Sequence, residues 1–469
     1  MGFGFCKKQK RRQKMNSEVR ENKMGVMPVN KLLLTMSLPM MLSMLIQALY
    51  NVVDSLFVAA IGGPEAAHFE LTAVTLAFPA QNLMIAIGVG TGVGINALIS
   101  RYLGMGDREK AKKIAGNGLF LLGASYVLFA LFGALFSRAF FAMQTNIPEV
   151  IDAGVTYLTI CTVASFGFFG QVAFEKFMQS TGKTVLSMTT QLVGAIFNII
   201  FDPIFIFVFD MGIAGAAVAT VLGQIISVAV GYFLNQKHNE EVRISPCHLR
   251  PDGAIIGDIY KIGLPSILMN SVGSVMTATM NIILGGFEKA AVDVFGIYFK
   301  LQSFVFMPVF GFNNGLISIV AYNYGARKRA RMTRAIKLGL IYACSVMLIG
   351  FAVFQIFPDA LLSMFNADGN MLRIGTGALR TISLCFVFAG FSVIMISVFQ
   401  ALGYSFLSMI VSIARQLVVL IPAAYFLSLT GEVNNVWYAF PIAEFICLLC
   451  CAVFYVFVYK KVIKKVPNN

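Results

Sequence analysis

Ser43, Gln47, Asn51 and Asp54 fall at i, i+4, i+8 and i+11 of the first long apolar run. On a helix that spacing makes one polar stripe. Asn198 and Asp202 stand at i, i+4 in a later run, and Pro203 follows at once. Both side chains therefore project from one face, beside a turn whose hydrogen bonding the proline loosens. Thr220 sits in the next run, and Glu175 ends the run before. Carboxylates, an amide and a hydroxyl together make an oxygen-rich pocket, which suits a hard cation or a proton on a desolvated carboxylate. The candidate cation site is Asp54, Asn198, Asp202, Thr220 and Glu175. An ionisable group in hydrocarbon costs roughly 2.5–3.5 kcal/mol even on a lenient scale, and persists where it faces a cavity. The plainer alternative makes Asp54 and Asp202 helix-end residues reaching the interface, and Asp210 marks the end of the Asp202 run. Glu175 has Lys176 beside it, which suits a wet position.

Other chemistry lacks its residues. Gly88, Gly90, Gly92 and Gly94 alternate, but no strand precedes them and no Gly-Lys-Ser/Thr follows, so they are no phosphate loop. Close helix packing or a bend is the expected use. Cys447 and Cys450 have CxxC spacing inside an apolar run, without His or a second pair. They and most of the eight cysteines read as small hydrophobes. No nucleophile–base pair is present, so no enzyme and no cofactor is expected beyond a coupling ion, H⁺ or Na⁺.

The elements that must position these residues are membrane spans. The 469 residues are 58% hydrophobic and 12% charged, about half the charge of a soluble domain, with a mean hydropathy of +0.78. Runs long enough to cross a bilayer, about 20 residues, lie near 32–60, 72–100, 113–142, 149–179, 184–209, 213–235, 254–286, 291–321, 331–358, 372–402, 406–428 and 436–461. Twelve spans put both termini on one side. The net charge of +14 sits in alternate loops rather than in a nucleic-acid face. Basic residues crowd the first thirty positions, the loop from Arg101 to Lys113, the loop from Arg327 to Arg334, and Lys460, Lys461, Lys464 and Lys465. The positive-inside rule makes those loops and both termini cytoplasmic. The first thirty residues form a basic tail with no apolar core of signal-peptide length.

The chain also repeats. Ser37-Leu38-Pro39 is echoed by Gly263-Leu264-Pro265, Gly104 before a basic stretch by Gly325, and Gln179 to Gly182 by Gln400 to Gly403. The later matches lie about 221 residues apart. The expected plan is a basic cytoplasmic tail (1–30), an N-lobe (31–235), a cytoplasmic linker (236–253), a C-lobe (254–461) and a short cytoplasmic tail (462–469). Parallel repeats of this kind are related by an axis along the membrane normal, hold substrate between the halves and rock between two openings. The fold class is an all-α membrane protein, twelve helices in two six-helix lobes. The halves are not chemically equal. Shifted by the offset, Asp202 lands on Ala423 and Glu175 on Ile396, and the stripe Asn270, Ser274, Thr277, Asn281 is polar but uncharged. Coupling is therefore expected in the N-lobe. Lys300 and Arg415 are expected to meet helix carbonyls or to snorkel, and Glu444 has no assigned role.

In order and spacing, these residues resemble the multidrug and toxic compound extrusion (MATE) family, its bacterial DinF-like and MepA-like branches. The resemblance runs from about Leu32 to the last span. Its marks are Ser37-Leu38-Pro39 with Asp54, Arg101 through Gly106, Gln179 to Gly182, and Asn198-x-x-x-Asp202-Pro203. Further marks are Phe304-x-x-Met307-Pro308 leading to Tyr322-Asn323-Tyr324-Gly325-Ala326, then Gln400-Ala401-Leu402-Gly403 and Arg415-Gln416. The resemblance implies a twelve-helix, two-lobe exporter of organic cations in exchange for Na⁺ or H⁺. Its N-lobe cation site matches Asp54, Asn198, Asp202 and Thr220, and MepA-like members carry an acid matching Glu175. The C-lobe acids of other branches have no counterpart here.

The function expected is multidrug efflux of lipophilic cations by alternating access, in the bacterial inner membrane and as a monomer. Gln47, Tyr50, Asn51, Met276, Asn281 and Phe304 are the candidate substrate-cavity residues, with Phe166 a further aromatic, offering cation–π and soft contacts. The alternative is a lipid-linked precursor flippase of the wider superfamily, which would need a basic cavity for pyrophosphate. A channel would need a ring of filter residues that the asymmetric halves do not supply.

Overall fold

In hydrocarbon every backbone N–H and C=O must be satisfied within its own segment, so an apolar chain of this kind folds into helices. The computed structural model describes residues 22–59, 64–245, 248–365 and 369–467, and among them no strand occurs. The spans are α1 (Val29–Ala59), α2 (Pro64–Gly104), α3 (Arg108–Ala142), α4 (Pro148–Val163 and Phe166–Ser180), α5 (Thr184–Val208) and α6 (Gly212–His238). The second half has α7 (Gly253–Gly285), α8 (Lys289–Gly325), α9 (Arg329–Ile356), α10 (Gly369–Ser383 and Phe386–Ala401), α11 (Ser405–Ser428) and α12 (Ala439–Lys461). Ten of these are single helices long and apolar enough to cross a membrane, and α4 and α10 are pairs bent by 42° and 48°. The twelve expected spans are all present, in two six-helix lobes.

The bends fall at equivalent places, Ala164-Ser165 and Leu384-Cys385. So do two π-helical stretches, Ile204–Val208 in α5 and Ala414–Leu420 in α11. Pro203 has no N–H for the ladder, and the turn beyond it widens into the first π stretch. Pro422 stands just after the second.

Large apolar side chains cover the outside: Leu135 is 69% exposed, Ile282 77% and Phe426 67%. A water-soluble fold would bury such residues; in a bilayer they face a matching solvent.

The lobes meet through α1 against α8 and through α2 against α7 and α8. The alternating glycines serve this packing. Gly88 and Gly92 face Phe168 and Lys176 of α4, in their own lobe. Gly90 and Gly94 face Ile267 and Ile259 of α7, where an added Cβ would lie 2.5 Å from Ile267 Cγ1 or from the Ile259 carbonyl oxygen. Spacing i, i+4 on two faces thus lets one helix touch both lobes closely. The ends of α2 and α8 cross still more tightly. A Cβ on Gly104 would lie 2.0 Å from the Tyr322 carbonyl oxygen, and one on Gly325 would lie 2.0 Å from that of Arg101. The two contacts are mirror images under the repeat.

All these contacts lie toward the face from which the described N- and C-terminal segments emerge. There the linker between the lobes is not loose. Asn235 donates to the Val242 carbonyl at 3.2 Å, Gln236 to that of Ile244 at 3.0 Å, and Asn239 to that of Phe177 at 3.2 Å. Asn117 of α3 accepts from the Asp252 N–H at 2.7 Å. The linker is stapled to the first lobe.

Candidate functional site

Asn198 and Asp202 lie on the inner face of α5, and both are buried, Asp202 completely. The opposite face carries the exposed Ile196 and Ile200, and along its flank Phe197 stacks on Phe201 with ring centroids 4.1 Å apart. Exposed isoleucines on one side and buried carboxamide and carboxylate on the other show which way the helix is turned. The Asn198 amide nitrogen faces the Asp202 carboxylate and donates to its Oδ2 at 2.5 Å. Its oxygen then accepts from the Thr220 hydroxyl at 3.2 Å and from the Thr220 backbone N–H at 3.1 Å. Asn198, Asp202 and Thr220 therefore come together as expected, at the point where α5 passes into its π stretch.

Glu175 is buried, not wet, and Lys176 is not its partner. Its Oε1 accepts from Gln171 at 2.8 Å and its Oε2 from Gln191 at 2.6 Å. Two neutral amides thus hold it. Gln191 shares a face of α5 with Asn198 and Asp202, at i, i+7 and i+11, so Glu175 sits on the same polar stripe about 10 Å further along the helix axis. Asn51 and Asp54 lie on α1, but their side chains lie outside the described residues.

Among the described residues no group of three or more His, Cys, Asp or Glu is placed to hold a metal ion. The cluster instead offers one carboxylate, one amide and one hydroxyl. Hard oxygen donors of that kind suit a weakly held monovalent cation or a proton more than a tightly bound structural metal.

The substrate-cavity residues have mixed settings. Gln47 and Asn281 are exposed, Tyr50 and Phe304 half-buried, and Met276 is buried in the apolar core. Phe166 is exposed and edges onto Tyr126 of α3, ring centroids 5.9 Å apart. From the neutral stripe of α7, Ser274 is hydrogen-bonded to Asn82 across the lobes.

Several polar groups escaped sequence reasoning. Lys176 is buried, and its ammonium donates to Gln179 Oε1 at 2.9 Å and, across the lobes, to Asn314 Oδ1 of α8 at 3.0 Å. Ser318 of α8 donates to Asn96 of α2 at 2.9 Å. Arg415 corrects an expectation: among the described residues it meets no helix carbonyl but donates through Nη1 to Glu444 Oε1 at 2.6 Å, inside the second lobe. That pair also gives Glu444 its role. It joins residues 29 apart on two helices, a distance no local pattern signals. Lys300 is exposed and lies 5.9 Å from the Phe365 ring centroid.

Ahead of α1, a short strap crosses both lobes. Asn22 caps the single turn Lys23–Val26 and donates to the Thr181 carbonyl at 3.1 Å and to Glu241 Oε1 at 3.0 Å. From the second lobe Asn323 donates to the Met24 carbonyl at 3.2 Å, Lys328 to that of Gly25 at 3.1 Å, and Arg331 to that of Met27 at 2.6 Å. Met24 is fully buried beneath it. The strap and the Gly104–Gly325 crossing close the lobes at one face.

This two-lobe frame has known relatives. The MatE family model matches residues 39–204 and 265–426, once in each lobe. The chain belongs to the MatE family. That is a family of membrane transporters, not enzymes. The multidrug export protein MepA of Staphylococcus aureus is 27% identical over 430 residues, covering 90% of this chain and 92% of MepA. MepA of Staphylococcus saprophyticus is 26% identical over 419 residues, 88% and 90% of the two chains. The solved structure of a MATE protein in complex with MaL6 superimposes with a TM-score of 0.89 over 95% of this chain and all of that one, at 24% identity. A MOP superfamily transporter from Pyrococcus furiosus, described as having a binding pocket of reversed polarity, gives 0.88 over 95% and 99%, at 25% identity. MatE membership accounts for the repeat, the paired bends and the polytopic chain.

Proposed function

We propose that the chain exports lipophilic organic cations in exchange for H⁺ or Na⁺, with coupling in the N-lobe at Asp54, Asn198, Asp202, Thr220 and Glu175. The single observation carrying this reading is Asp202: a fully buried carboxylate held by an amide beside a hydroxyl, on a helix whose backbone loosens one residue later. A carboxylate buried away from water gains from taking up a cation, because desolvation penalises its charged form. Loading Asp202, and Asp54 with it, removes negative charge from the polar stripe, and the N-lobe repacks. Unloading on the other side restores the charge, which attracts a cationic substrate. The MepA relatives are multidrug export proteins, which supports export here.

In the same reading the basic loops set both termini on the cytoplasmic side of a bacterial inner membrane. The strap and helix crossing then close the cytoplasmic entrance, so the conformation described opens outward. The domain plan is a basic tail to residue 30, lobes over 31–235 and 254–461 with the linker 236–253 between, and a tail from 462. One chain supplies both lobes and works as a monomer.

The test is ethidium efflux from proteoliposomes, with the pH gradient and the Na⁺ gradient imposed separately. Efflux under one gradient supports the reading and names the ion. Absence of response to both removes it, and the flippase of lipid-linked precursors becomes the reading to test.

A further inference from the structure

A cavity of about 570 Å³ lies where the first turns of α9 meet the last turn of α12, on the face carrying both termini. Its wall is one face of α9: Ala330, Thr333, Arg334, Lys337, Leu338 and Ile341 recur at i, i+3, i+4, i+7, i+8 and i+11. Arg329 and Tyr459 complete it. Arg329 donates to the Tyr459 hydroxyl at 3.0 Å and to the Lys464 carbonyl at 3.4 Å, so the guanidinium is fixed between the two helices.

Three cations thus line one cavity, with no carboxylate in the lining. The shortage of acid extends well beyond it. No Asp or Glu occurs between Asp293 and Asp359, nor after Glu444. Like charges gathered without a counter-ion repel one another unless an anion neutralises them. The cavity is amphipathic along its length. Its cationic end lies at the helix ends, and from Ile341 the same faces continue into exposed apolar side chains, Leu348 and Ile349 on α9, Leu449 and Val456 on α12. A soluble anion would use only the first part. A phospholipid uses both, its phosphate among the cations and its acyl chains along the two helices. Basic pockets between membrane helices take anionic lipid headgroups for this reason.

We infer that this cavity binds the headgroup of an anionic phospholipid, with Arg329, Arg334 and Lys337 on the phosphate and Leu338 and Ile341 under the first acyl carbons. The site rests on the membrane-spanning fold and not on the export reading. It adjoins the strap: Lys328 and Arg331, on either side of Arg329, hold the strap carbonyls.

The experiment is native mass spectrometry of the full chain in detergent, titrated with phosphatidylglycerol or phosphatidylcholine. The expected result is at least tenfold preference for phosphatidylglycerol, lost in Arg329→Gln/Arg334→Gln/Lys337→Gln. It is kept in Arg108→Gln/Lys113→Gln/Lys460→Gln, which removes equal charge from exposed positions outside the cavity. Wild-type protein without preference between the two lipids overturns the inference whether or not the variants fold. Equal loss in both variants also overturns it, since general surface attraction is then enough. Displacement of the lipid by millimolar inorganic phosphate overturns it in favour of a soluble-anion site.

Discussion

Gly325→Ala tests whether the crossing of α2 and α8 holds the lobes shut. The new Cβ would lie 2.0 Å from the Arg101 carbonyl oxygen, whereas carbon and oxygen pack at about 3.3–3.6 Å. The opposing atom is backbone, so no rotamer change relieves the clash, and the helices must part by roughly 1.3 Å. Overpacking of this size costs about 1–3 kcal/mol. The gain in helix propensity over glycine applies in every state and cancels. The clash exists only while the ends cross, so the ratio of open to closed at this face rises about 5- to 150-fold. Ser318→Cys supplies the probe, because Ser318 is fully buried at the lobe interface. Its alkylation by N-ethylmaleimide, read on its own peptide so that native cysteines do not interfere, follows the open fraction. Gly325→Ala should speed that alkylation by at least fivefold, and Gly104→Ala likewise. An unchanged rate in a monodisperse variant refutes the argument that this crossing closes the lobes.

Asp202→Asn keeps the shape and removes the charge, so coupled ethidium efflux should fall at least tenfold with helix content unchanged by circular dichroism; normal efflux would remove Asp202 from the coupling site. Arg415→Gln alone, or Glu444→Gln alone, leaves a buried charge unpaired and should cost about 3–5 kcal/mol in thermal stability. The double change Arg415→Met with Glu444→Leu should recover most of that loss, and a double variant as unstable as the singles would disprove pairing as the cause. Asn323→Ala with Arg331→Ala strips three donors from the strap. At roughly 1 kcal/mol each, more for the charged ones, their loss should speed Ser318→Cys alkylation by more than tenfold, and no acceleration would mean that the strap is not a latch.

The lobes and spans were legible because apolar length and repetition are properties of contiguous sequence. Pro203, falling just after Asn198 and Asp202, signalled the loosened turn for the same reason. The approach of Thr220 to that pair across two helices was legible only as three polar residues with nowhere else to go. Lys176 and Glu175 show the limit. Adjacent opposite charges read as a wet position, yet the structure gives each charge its own two amides, one of the four in the other lobe. Neither Gln171 nor Gln191 carries a signal of its own, since an amide in an apolar run has many possible uses. Arg415 and Glu444 were misread or left open because partners on separate helices share no local period. The strap was invisible because backbone carbonyls, which any residue supplies, accept its bonds from the second lobe.

The Arg415–Glu444 pair has a consequence for how a membrane potential acts on the molecule. An elementary charge crossing the field exchanges about 2.3 kcal/mol per 100 mV, but two opposite charges 2.6 Å apart move as a neutral dipole and exchange almost nothing. The second lobe can swing through the field with its ionised interior electrically silent. Voltage then does work on the buried N-lobe groups, Asp202, Glu175 and Lys176, and on whatever charge occupies the cleft, so under the antiport proposed above a transport current would report the charge imbalance between coupling ion and cargo.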